Sequence, residues 1–153
     1  MSPPDEPLEP DPLEWRCGEY TISTDLRRFD IDVFHAFVST SSWAMGRSRE
    51  MTNVVVQNSL VFGLHSPDHT MVGAARVVTD FATFGWVSDV FVLPSHRGQG
   101  LASCLVAAIC DHPKLRGMKR MMLVTDDTHG LYARHGFTEL ATPERLMERR
   151  PDS

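Results

Sequence analysis

Apolar positions recur along this chain with two alternating periods, and their order outlines a mixed α/β domain. "YTIST" (20–24) alternates as a first strand. Phe34, Phe37 and Val38 then fall at i, i+3 and i+4 behind Asp30 or Asp32, either of which can cap a short helix. A polar loop, "STSSWAMG", leads into a second helix from about residue 47 to 58, with Met51, Val54 and Val55 on neighbouring turns. "SLVFGLH" and "TMVGAARVVT" read as strands joined by the turn chemistry of Ser66-Pro67-Asp68. "FATF" connects them to a third strand of this meander, "GWVSDVFVL". A helix over 98–112 follows, then the apolar strand "RMMLVT", a short helix in "THGLYARHGF" ending at Gly136, and a strand over 137–140. The remaining tail fits strand or helix equally. Strand, helix and strand in that order make a right-handed parallel crossover.

The chain has 153 residues, enough for one domain with a real core, which we place at 20–153. Residues 1–19 differ from the rest: Pro3, Pro4, Pro7, Pro10 and Pro12 stand among six acids and the single base Arg16. That composition predicts a flexible acidic tail, with Trp15 able to dock on the domain. The net charge of −5 and the absence of a large basic cluster argue against a nucleic-acid surface. Cys17, Cys104 and Cys110 are odd in number, show no CxxC spacing and follow no secretory signal. They predict neither a disulfide framework nor a zinc site. With no apolar run long enough for a membrane span, the expectation is a cytoplasmic protein that binds no membrane, compatible with a homodimer.

Candidate chemistry concentrates in "VFVLPSHRGQGLA" (90–102). An apolar strand breaks at Pro94, passes Arg97, Gly98, Gln99 and Gly100, and enters a small-residue helix. A helix N-terminus presents unpaired N–H groups and a partial positive charge. Gly98 and Gly100 clear side chains from an approaching phosphate, Ala102 and Ser103 leave room in the next turn, and Arg97 adds a charge. The stretch is read as a pyrophosphate holder. It lacks the Gly-Lys-Ser/Thr ending of a nucleoside triphosphatase and the third glycine of a dinucleotide fold.

This stretch resembles the acetyl-coenzyme A signature of the GCN5-related N-acetyltransferases (GNAT), with Arg97, Gly100 and Ala102 at the motif positions. About thirty residues later "GLYARHGF" resembles the family's second signature, carried by Tyr132, Gly136 and Phe137. The resemblance spans nearly the whole chain outside the tail and is to small bacterial-type members. It implies a mixed, mostly antiparallel central sheet flanked by helices, with a splayed V-shaped cofactor cleft. It also implies acetyl-CoA as co-substrate and direct transfer of acetyl to a primary amine of a small molecule or peptide, without a metal. The Phe91 and Val92 backbones would pair with the pantetheine arm, the Val92 N–H would polarise the thioester carbonyl, and residues Arg97, Gly98, Gln99, Gly100, Leu101, Ala102 and Ser103 would hold the pyrophosphate. Tyr132 would protonate the leaving thiolate; its other reading is a core tyrosine. Thr125 and Thr128 stand where many members have asparagine and alanine, and Thr125 is the residue left to bond the cofactor.

The base is open between Asp89, His129 and water. Asp89 is a charged residue within a strand and needs a reason to be there; a structural partnership with Arg76 is the alternative to chemistry. His129 shares a helical face with Tyr132. Trp43, Arg47, Arg76, Asp80 and Trp86 are the acceptor-side candidates, and their mixed charges leave the acceptor undetermined. The competing function is a CoA-binding sensor or interaction domain without catalysis.

Overall fold

The computed structural model describes residues 10–151. Six strands form one sheet in chain order: β1 (Glu14–Cys17), β2 (Tyr20–Ser23), β3 (Leu60–His65), β4 (Met71–Thr79), β5 (Phe84–Val92) and β6 (Arg120–Met122). All neighbours are antiparallel except β5 and β6, which are parallel. Helices α1 (Ile31–Val38) and α2 (Arg49–Gln57) cover one face, and α3 (Leu101–Asp111) covers the other. The short α4 (His129–Ala133) contacts α3. This is the mixed, mostly antiparallel sheet with flanking helices that the sequence implies.

Both sheet faces are buried, so β3 is apolar and closed to solvent throughout. Phe62 and Leu64 pack with Leu105 and Ile109 of α3. Val61, Ala74 and Phe91 pack with Phe34 and Val38 of α1 and Val56 of α2. Local signals set the helix starts. Asp30, not Asp32, caps α1 by accepting from the Asp32 and Val33 N–H groups. Ser48 accepts from Met51 N–H and starts α2 two residues later than expected. Gly98 and Gly100 form the bend before α3 and are not its first turn.

Three expectations are corrected. The stretch assigned to a flexible tail contains β1, so the domain begins earlier; residues 1–9 of that tail lie outside the described residues. Trp15 and Cys17 alternate with exposed Glu14 and Arg16, and this period of two outweighs the proline-rich composition. Trp15 packs at a tilt against Phe62 and His112 and donates Nε1–H to Asp111 at 2.8 Å. Second, Cys17 and Cys104 are joined in a disulfide between β1 and α3. They lie 87 residues apart in sequence, so only the folding of β1 onto α3 brings them together. Third, residues 137–140 form no strand. A strand there would pair Phe137 with Glu139 on one face and Thr138 with Leu140 on the other; instead Phe137 alone packs against the core and Leu140 stays exposed. β6 is correspondingly short, and the tail holds only one turn, Pro143–Arg145. No helix among the described residues is long and apolar enough to cross a membrane.

The disulfide closes a long loop, and such a crosslink restricts the unfolded chain by roughly 2–4 kcal/mol. Reduction, or Cys17→Ser, should therefore lower the unfolding free energy by that amount, seen as a lower midpoint of chemical denaturation. Equal midpoints for oxidised and reduced protein, with free thiols counted in both, would remove the crosslink from the account of stability.

Candidate active site

The β5–β6 ladder pairs Phe84, Gly85 and Trp86 with Arg120, Met121 and Met122 and then ends. Residues 87–92 keep only β4 as a neighbour, so a wedge opens between the two parallel strands. Leu93 N–H bonds to Val72 O at 2.8 Å on the β4 side. Alternate residues of a strand point their polar groups oppositely, so Val92 turns its N–H and C=O toward the wedge and Phe91 turns its own toward β4. The pairing expected of the Phe91 backbone is thereby corrected. Its ring instead stacks on Phe37 at 4.1 Å.

At the end of β5 the chain makes a turn over Pro94–His96 and two left-handed glycines, Gly98 (φ 83°) and Gly100 (φ 75°), before α3. A side chain at either glycine would be strained by the backbone conformation. Leu101 anchors the first turn in the core, while Ala102 and Ser103 stay half-buried. A cavity of about 150 Å³ lies between residues 97–103 and α4, where Leu131 and Arg134 close it. Arg97 Nε–H donates to Val92 O at 2.9 Å, so the guanidinium stem lies along this cavity. Gln99 is turned away; its amide donates to His96 O and reaches the Tyr20 hydroxyl at 3.5 Å. Tyr20 is in turn 2.8 Å from His96 Nδ1. Ser103 Oγ pairs with His135 Nε2 at 2.8 Å.

Arg134, Tyr20 and His96 were missed by sequence reasoning. Arg134 is the one with a signal there: a base two residues after Tyr132 on a helix that must face the wedge.

Tyr132 is buried against Phe137, with ring centroids 5.9 Å apart, and burial pushes its phenol up from the ordinary value. His129 is exposed at the first position of α4. Thr125 and Thr128 share a 2.6 Å hydroxyl contact, and Thr128 N–H donates to Thr125 Oγ1.

On the acceptor side, β5 carries a bulge: Ala74 opposes Phe91, but Arg76 opposes Ser88. Asp89 there has φ 52°. The extra residue breaks the alternation, so that Ser88 and Asp89 both reach the Arg76 side chain. Asp89 Oδ2 accepts from Arg76 Nε at 2.6 Å and from Arg47 at 2.9 Å, while Oδ1 accepts from Trp43 Nε1 at 2.7 Å. Burial would raise this carboxyl, but the hydrogen bonds from Arg47 and Arg76, the Arg76 charge and the Trp43 indole outweigh it and hold it below the usual range. The structure thus gathers Trp43, Arg47, Arg76 and Asp89.

It does not bring Asp80 or Trp86 to that cluster. Asp80 clasps the β4–β5 turn by accepting from the Thr83 hydroxyl and from the Thr83, Ala82 and Phe84 N–H groups; these hydrogen bonds, the Thr83 hydroxyl first, hold its carboxyl well below the usual range. Trp86 sits half-buried where the ladder ends, opposite Val78 and Met122. Asp89 also fails as the expected base. Its side chain is fully buried, both oxygens are taken, and a depressed carboxyl is a weaker proton acceptor. A larger cavity of about 600 Å³ lies between β6 and residues 136–146, where the expected strand is missing; neither the glycine loop nor Asp89 lines it. Among the described residues, no group of three His, Cys, Asp or Glu is placed to hold a metal ion.

A strand wedge ending in a glycine turn at a helix N-terminus coincides with the sequence profile of the Acetyltransferase (GNAT) family, which matches residues 23–137. The chain belongs to the GNAT acetyltransferase family. A solved GNAT protein of Xanthomonas campestris, described as a putative acetyltransferase, is 42% identical with a TM-score of 0.83, over 86% of this chain and 93% of that one. A Gibberella zeae protein, also described as a putative acetyltransferase, is 29% identical over 147 residues, 81% of each chain. An acetyltransferase structure from Clostridium acetobutylicum with acetyl-CoA shares the fold at 16% identity and a TM-score of 0.61, over 86% of this chain and 94% of that one.

Removing the Asp89 charge leaves two largely buried guanidiniums without their partner, at a cost of about 3–5 kcal/mol. Asp89→Asn should therefore lose stability at neutral pH by that order, measured by denaturant titration. Because the folded-state pKa is depressed, the wild-type contribution is complete above the ordinary carboxylate range. It is lost as pH falls below that range, so the two proteins should converge in acid. A variant as stable as wild type at pH 7 would show the cluster to be dispensable.

Proposed function

We propose that this GNAT protein is an N-acetyltransferase moving acetyl from acetyl-CoA to a primary amine by direct transfer. The observation that carries the reading is the junction of wedge and glycine turn. Val92 offers its N–H to the wedge while its carbonyl accepts from Arg97, and the Gly98–Gly100 bend leads to the unpaired N–H groups of α3. The residues present fit the cofactor. The cavity beside the loop is free of side chains at both glycines, and Arg97 and Arg134 bring positive charge to it. The pyrophosphate would be held by residues 97–103 with Arg134 added, and the pantetheine arm by the Val92 backbone.

Bound acetyl-CoA supplies an activated acyl thioester. The chain's own groups do the rest. Val92 N–H donates toward the thioester oxygen, where negative charge develops. Tyr132, kept protonated by its burial, gives its proton to the departing sulfur. The ammonium of the acceptor loses its proton to water or to His129, exposed on the same helix. The C–N bond forms as the C–S bond breaks, and free CoA leaves as the thiol. Thr125, engaged with Thr128, shapes the turn before α4 and is a cofactor contact only through its hydroxyl. Asp89 positions Trp43 and Arg47 and takes no proton.

Acetyl-CoA should raise the melting temperature of the wild type, since it binds the folded state. Gly100→Glu should abolish that rise by setting a carboxylate against the phosphates; an undiminished rise would dissociate the loop from cofactor binding. Tyr132→Phe removes one hydroxyl and keeps the ring. Turnover, followed by release of free thiol across an amine panel, should fall about 10²- to 10⁴-fold with cofactor affinity nearly unchanged. A loss under tenfold would make Tyr132 a packing residue. Cofactor binding without turnover of any amine would favour the CoA-binding sensor.

A further inference from the structure

The Trp43–Arg47–Arg76–Asp89 cluster holds two guanidiniums against one carboxylate. Among the described residues, Arg47 and Arg76 form ion pairs with Asp89 alone. Their side chains are only 12% and 11% exposed, so a net positive charge is kept largely out of water. Such a charge is costly unless a counter-charge meets it. The donors are not used up either. Arg76 spends three on Asp89, Ser59 and Ser88, while Arg47 turns both terminal nitrogens to Asp89 and bonds no described residue through Nε. A guanidinium carries five N–H donors in a planar fork that matches a carboxylate.

The cluster also lies on the strand that forms the wedge. Asp89 stands three residues before Val92, and Trp43, half exposed, stands over the carboxylate with its indole N–H bonded to it. An amine reaching the wedge arrives as an ammonium. A site with net positive charge repels a simple cation and admits one that brings its own anion. With Asp89 already saturated by three donors, no described carboxylate of the cluster is left to attract the ammonium itself.

We infer that the acceptor is an amine bearing a carboxylate, an amino acid in the broad sense, whose anionic end is received by Arg47 and Arg76 beside Trp43. The inference rests on the acetyl-transfer reading above. The spacing between Asp89 and Val92, roughly 10 Å at about 3.3 Å per residue and somewhat less across the bulge, favours acceptors with several bonds between amine and carboxylate. Diamines and polyamines are disfavoured by the same charge.

Isosteric pairs test this directly: 5-aminopentanoate against 5-aminopentanamide, and glycine against glycinamide, with 1,4-diaminobutane as the cationic member. Release of CoA thiol gives kcat/KM for each on the full chain. The expected result is a preference of at least tenfold for a carboxylate over its amide, with the diamine poorest. Arg47→Gln should narrow that preference to below about threefold. Because Arg76→Gln risks unfolding, Arg76→Lys is the second variant: it keeps the charge but loses the planar fork, and the preference should shrink there too. Calorimetric titration of the same pairs should show the carboxylate member binding more tightly. Turnover of amides or the diamine equal to or above that of the carboxylates overturns the inference while leaving acetyl transfer standing. So does a carboxylate preference that Arg47→Gln leaves intact. No turnover of any amine, with the acetyl-CoA melting shift preserved, overturns the acetyl-transfer reading and this inference together.

Discussion

Asp89 can stay ionised in a buried position only because Arg76 and Arg47 meet it there, and that meeting fixes the relation of three separate pieces of chain. Arg76 comes from β4 and Asp89 from the bulge of β5. Arg47 and Trp43 come from the loop between α1 and α2. Without the bulge, the side chains of Ser88 and Asp89 would fall on opposite faces of the sheet. With it, both converge on Arg76, and the α1–α2 loop is tied to the strand that continues to Val92. On this face of the sheet, long-range ion pairing is thus added to the apolar packing of α1 and α2.

The cofactor side is built differently. Its opening exists because β6 leaves β5 after Trp86, and its far end is shaped by two glycines that bend the chain into α3. The N-terminal hairpin supports that bend from outside. Tyr20 meets His96 and Gln99 just before the glycines, and Cys17 is bonded to Cys104 in the first turns of α3. Trp15 reaches Asp111 at the other end of the same helix. The hairpin therefore grips α3 along its length, which makes β1 part of the domain that presents the loop.

Local patterns were legible in the sequence. The meander of three strands, the helix after the glycines and the placement of Tyr132 all follow from periodicity, turn residues and two short motifs. What stayed hidden depended on partners distant in sequence. The strand period of Glu14–Cys17 was masked by prolines and acids, and the disulfide needed a contact across 87 residues. Residues 137–140 looked extended, but only Phe137 among them packs against the core. The Arg76 alternative for Asp89 could be raised from composition. That both oxygens are occupied, and that Trp43 and Arg47 share them, required the fold. Asp80 was misplaced for a related reason. A carboxylate at a strand end reads equally as a ligand or a turn clasp until its three backbone donors are seen.

The two halves of the site differ in what a substitution can change. Backbone N–H groups and glycine conformations hold the cofactor side, so the chemistry there is common to any chain that folds with this turn, and a short motif suffices to find it. The acceptor side is set by the charges and reach of individual side chains, and its sum is a single excess positive charge in a poorly hydrated place. Exchanging Arg47 for a neutral residue leaves the wedge and the glycine turn in place, yet cancels the excess charge of the cluster. A fold shared with solved structures at low identity therefore speaks for the architecture and says nothing about the acceptor. Under the proposed reading, the choice of acceptor rests on the balance of Arg47, Arg76 and Asp89.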